Sequence, residues 1–97
     1  MRVVAHRPQL WFLAEEDGAL FLDVNCSNGP AGFSVLARLT PEEAGDYAAA
    51  GDASLDRLAD AIQNHGPDSF GERDVGGEIG QRFNAAVTAW LAAQRAG

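Results

Sequence analysis

The chain has 97 residues, 46% hydrophobic and 22% charged, the profile of one small folded domain (residues 1–97) and not of a disordered tract. Fourteen acids against seven arginines and no lysine give a net charge of −7. That balance argues against a surface for nucleic acid or an anionic membrane, because phosphates demand a basic patch, and it is compatible with a basic protein partner.

Residues 1–8 read as a short lead-in, in which Val3-Val4 can pair at a sheet edge before Pro8 stops any ladder. Two apolar runs, Leu10–Ala14 and Ala19–Val24, flank Glu16-Asp17-Gly18, and an Asp-Gly between such runs predicts a β-hairpin. Two registers fit. A two-residue Asp17-Gly18 turn sets Leu13 opposite Leu22 and Trp11 opposite Val24. A three-residue loop, with Gly18 in a left-handed bulge, sets Phe12 opposite Leu22 and Leu10 opposite Val24. The second is preferred, since it gathers Leu10, Phe12, Ala14, Leu20, Leu22 and Val24 on one apolar face and turns Trp11, Leu13 and Phe21 away from it. A third strand, Phe33–Leu39, follows a Gly/Pro/Asn loop and points Phe33, Val35, Ala37 and Leu39 inward, with Ser34, Leu36 and Arg38 outward.

Thr40-Pro41-Glu42-Glu43 is a strong helix start: a threonine N-cap, proline at the first helical position and glutamate three residues after the cap. This first helix ends near Gly51. A second begins at Asp52 or Ser54, buries Leu55, Leu58, Ala59 and Ile62 at spacings of three and four, and ends at Gly66-Pro67. Asp68–Gly77 is glycine-rich and charged and reads as a loop. A third helix spans about Glu78–Arg95, with Ile79, Phe83, Val87, Trp90 and Leu91 as its apolar stripe. The expected fold is α+β: a three-stranded antiparallel meander followed by three helices packed on the sheet.

Candidate chemistry is sparse. Cys26 with His6 or His65 is the one thiol–imidazole combination, and nothing in the sequence brings either histidine to the thiol to activate it. His65 is explained by its place in the last turn of a helix, where an imidazolium suits the dipole. A single cysteine permits no internal disulfide and no cysteine-built zinc site, and it suits a reducing compartment. Asp23–Asn28 carries alternating oxygen ligands and resembles a calcium loop. Its glycine, Gly29, falls one place late, Ser34 stands where a bidentate glutamate is needed, and strands flank it, so a strand-exit turn is the simpler reading. Gly71–Glu78 has two glycines at phosphate-loop spacing but lacks the lysine and hydroxyl that such a loop needs. No catalytic residue, metal ligand or cofactor site is assigned.

Two surfaces stand out. Asp52, Asp56 and Asp60 recur every four residues and line one helix face, an arrangement that costs helix stability and is a mild pointer toward recognition, while a solvated face is the simpler reading. Trp11, Phe21 and Leu36 lie on the sheet face opposite the preferred core, where large apolar groups require cover by helix three, by a second copy or by another partner. The sequence therefore reads as a non-enzymatic protein–protein interaction module of the adaptor, inhibitor or immunity type. Its expected contact surface is Trp11, Phe21, Leu36, Asp52, Asp56 and Asp60, and its expected partner a basic protein or a second copy. The alternative is a small-molecule binder, or a minor enzyme using the Asp23–Asn28 loop or Cys26. Met1–Pro8 has no apolar signal-peptide core, and no apolar run exceeds five residues, so the cytoplasm is expected and no membrane. Arginine without lysine, among many alanines, is the usage of a GC-rich bacterial genome.

Overall fold

The structure, a computed structural model, describes residues 1–7, 10–25, 34–65, 75 and 77–96. Four strands, β1 (Arg2–Arg7), β2 (Trp11–Glu16), β3 (Ala19–Asn25) and β4 (Ser34–Arg38), form one antiparallel sheet in chain order. Three helices follow: α1 (Pro41–Ala50), α2 (Asp52–His65) and α3 (Gly77–Ala96). The α+β class and the three helices match the sequence reading, while the strand count rises from three to four. The added strand is β1, which contains Val3-Val4 and ends at Arg7, one residue before Pro8. β1 thus stops short of Pro8, a residue type with no N–H to give a ladder. The pairing of β1 with β2 shifts between Val3 and Ala5, so the strand is bulged at Val4. A bulge and flanking arginines are common devices on edge strands, and they blur the alternation by which a strand is recognised.

The hairpin adopts the two-residue turn, not the preferred three-residue loop. Glu16 pairs with Ala19, Leu13 with Leu22 and Trp11 with Val24. Asp17 (φ 52°) and Gly18 (φ 84°) are both left-handed, the geometry of the type I′ turn whose twist matches that of the strands. Aspartate tolerates this region better than most side chains.

This register places large apolar groups on both faces, and helices cover both. On one face Trp11, Leu13, Leu22, Val24, Val35, Ala37 and Leu39 pack with Leu55, Ala59 and Ile62 of α2. On the other, Ala14, Phe21 and Leu36 pack with Phe83 of α3, and Phe12, Ile79 and Val87 gather around them. The sheet is therefore the middle of three layers. A side chain as deeply buried as Phe83 contributes roughly 1.5–3 kcal/mol through the area it removes from water. At the β4 edge the N–H of Val75 donates to the carbonyl of Leu36 at 2.8 Å, tying the approach to α3 onto the sheet.

The start of α1 is as the sequence predicts. Thr40 Oγ1 accepts from the Glu43 N–H at 3.1 Å, and Glu43 Oε1 accepts from the Thr40 N–H at 2.9 Å. The helix stops at Gly51, whose φ of 66° lies in the region that favours glycine. Ser54 then donates its hydroxyl to the Gly51 carbonyl at 2.9 Å, one turn into α2.

Candidate functional site

Three interlocking contacts join the edge strand, the hairpin and the helices. The first centres on Asp56, half-buried near the start of α2. Arg7, at the end of β1, presents its guanidinium fork to it, with Nη2 2.8 Å from Oδ2 and Nε 3.2 Å from Oδ1. The indole N–H of Trp11 donates to Oδ1 at 2.9 Å. Trp11 is 1% exposed, so its N–H cannot reach water and needs an acceptor within the protein. The hydrogen bond from Arg7, reinforced by that from Trp11, holds the Asp56 carboxyl below its ordinary range. The same hydrogen bond and charge raise Arg7. Asp56 therefore ties α2 to the sheet edge, and its carboxylate is engaged within the chain.

A second ion pair mirrors the first on the opposite face. Arg82 of α3 reaches Glu16 with Nη2 2.8 Å from Oε1 and Nε 3.0 Å from Oε2. The α-amino group of Met1 stands 3.5 Å from the same carboxylate, and Glu78 approaches Arg82 one turn earlier at 3.4 Å. The Arg82 hydrogen bond is the main reason that Glu16 titrates below its usual range. The third contact is aromatic. His6 of β1 stacks on Phe12 with ring centroids 5.4 Å apart and meets the edge of Trp90 at 4.4 Å, while Phe12 and Trp90 lie 5.9 Å apart.

The six residues expected on a contact surface thus divide. Trp11, Phe21 and Leu36 are 1%, 4% and 7% exposed and belong to the two cores, so they do not form an outward apolar patch. The apolar surplus that suggested a second copy is absorbed by α3 on one face and by α2 on the other. Asp56 is paired inside the chain. Asp52 and Asp60 are exposed on α2, on either side of it, and Glu42 and Asp46 are exposed on α1. Cys26 and with it half of the Asp23–Asn28 segment, most of Gly71–Glu78 and the His65 side chain lie outside the described residues. Among the described residues, no group of three or more histidine, cysteine, aspartate or glutamate side chains is placed to hold a metal ion, and no helix is long and apolar enough to cross a membrane.

The acids and bases are segregated by layer. Residues 41–65 carry six carboxylates and one arginine, Arg57, whereas residues 77–96 carry Glu78 against Arg82 and Arg95. The acidic layer also frames a cleft of about 270 Å³ between α1 and α2, with Glu43, Asp46 and Arg57 on its walls and Leu55 and Leu58 at its floor. A cleft of about 290 Å³ lies beside the Asp56 cluster, bordered by Leu10, Asp60 and Gln63. Sequence reasoning found the acids but missed Arg7, whose partner Asp56 stands 49 residues along the chain, and named His6 only as a possible base for Cys26, not as a ring packed on Phe12 and Trp90. No family model, curated protein or solved structure matches this chain.

Proposed function

We propose that this chain is a non-enzymatic protein–protein interaction module that meets a basic partner with its α1–α2 face. The observation that carries this reading is the segregation of charge. Glu42, Asp46, Asp52 and Asp60 are exposed on one layer, with Arg57 as the one arginine among residues 41–65. Carboxylates gathered on one face speed the encounter with a basic surface and suppress acidic competitors. The clefts bordering this layer, about 270, 290 and 430 Å³, lie at the lower end of small-molecule sites, which supports a macromolecular partner over an enclosed ligand. The lone Cys26 suits a reducing compartment, which supports reading the module as a cytoplasmic adaptor, inhibitor or immunity protein.

The test is capture from a lysate of the source cell by the wild-type chain and by the Glu42→Gln/Asp46→Asn/Asp52→Asn/Asp60→Asn variant, followed by kinetics on whatever is retained. The reading predicts a basic protein, retained by the wild type, whose association slows for the variant. A partner that associates equally fast with both proteins contradicts it.

A further inference from the structure

We propose that α1 is a strap that opens as an independent unit about its two ends, Thr40 and Gly51, while the sheet, α2 and α3 stay folded. The helix buries none of its ten residues. Tyr47 is its one large side chain packed against the core, and its principal neighbour is α2. By contrast α2 anchors itself with Leu55, Ala59 and Ile62, and α3 with Phe83, all 4% exposed or less.

Space flanks α1 on both sides. Toward α2 lies the cleft of about 270 Å³ floored by Leu55 and Leu58. Toward the hairpin lies another of about 430 Å³, bounded by Leu20, Leu39 and Ala44. Gly45, in the middle of the helix, has no neighbour near the position a Cβ would take and lowers the intrinsic helicity of the segment. A ten-residue helix with so little buried surface is not stable on its own, so its opening free energy is a small fraction of the global one.

The hinge at the first end is set by Leu39, whose N–H donates to the Leu20 carbonyl at 2.9 Å and holds the chain to the sheet just before the cap. The hinge at the second end is Gly51, whose positive φ marks the break between α1 and α2. Lifting the helix between these points joins the two clefts into one apolar trough floored by Leu20, Leu39, Leu55 and Leu58.

Native-state amide hydrogen exchange on the full chain tests this. In the wild type, α1 amides should exchange about 100-fold faster, relative to their unstructured rates, than those of β3. Low concentrations of urea should accelerate β3 exchange and leave α1 exchange nearly unchanged. Phe83→Leu, on the far side of the sheet, weakens the global fold without touching α1. It should speed β3 exchange about tenfold and leave the α1 rates as they are. If α1 and β3 respond to urea and to Phe83→Leu by the same factor, α1 opens only when the whole chain unfolds and the strap does not exist. Should the variant fail to fold, the urea series on the wild type decides alone.

Discussion

Trp11 and Asp56 stand 45 residues apart in the chain and share a hydrogen bond of 2.9 Å, from an indole buried in the sheet to a carboxylate on the acidic helix. The contact explains why an aspartate tolerates like-charged neighbours at Asp52 and Asp60. It satisfies a donor that has no route to water, and it recruits Arg7 to fix the edge strand. Asp56→Ala should therefore lower the denaturation midpoint clearly. Asp56→Asn, which keeps an acceptor for the indole but loses the charge that holds Arg7, should lower it less. Equal midpoints for Asp56→Ala and the wild type would show that the cluster contributes nothing to the fold.

Acid should act through two carboxylates. The Arg7 hydrogen bond lowers Asp56 and the Arg82 hydrogen bond lowers Glu16, so each binds its proton more weakly in the folded than in the unfolded chain. A group lowered on folding contributes stability that is fully present above its unfolded pKa, about 4 for these side chains, and that is lost as pH falls through the folded value. Stability measured by urea titration should thus decline below about pH 4–5, and the decline should flatten in the Asp56→Asn/Glu16→Gln protein. An unaltered acid limb in that variant would contradict the assignment.

Phe21→Glu should unfold the chain, because Phe21 is 4% exposed and packs in the same cluster as Phe83. Removing the ring and burying a carboxyl without a partner costs more than about 3 kcal/mol. Circular dichroism with light scattering checks this. A folded variant with a changed assembly state would instead mean that the α3 face of the sheet is an intermolecular contact.

Thr40→Ala removes the acceptor for the Glu43 N–H and breaks that half of the capping box, while the backbone N–H at position 40 can still donate to Glu43. The expected cost is about 0.5–2 kcal/mol if α1 remains closed through the transition region. If the strap opens first, chemical denaturation registers less than this, and the loss appears as faster exchange in α1.

Features encoded within a few residues were legible in the sequence, and those decided across the sheet were not. The Thr40–Glu43 box, the presence of a hairpin at Glu16-Asp17-Gly18 and the stripe of Leu55, Ala59 and Ile62 could be read because each depends on neighbours one turn away. The hairpin register could not. A pattern argument looks for one apolar face, whereas Trp11, Leu13, Phe21 and Leu36 are all apolar because both faces are covered. The strand Arg2–Arg7 was obscured by its bulge at Val4 and by its charged ends. Of the acids read on α2, Asp52 and Asp60 are exposed there. The fate of Asp56 depended on Arg7, 49 residues away, for which spacing gives no signal.

The central claim is that the α1–α2 layer receives a basic partner, and the most direct measurement is the association rate constant of that partner as a function of ionic strength. For the wild-type chain the rate should fall steeply between about 10 mM and 500 mM salt, as the Debye length contracts from about 30 Å toward the few-ångström range. For the Glu42→Gln/Asp46→Asn/Asp52→Asn/Asp60→Asn protein it should start lower and vary little, with the two curves converging at high salt. Rates that coincide at every salt concentration would contradict the account and reduce the acidic layer to a solvated surface.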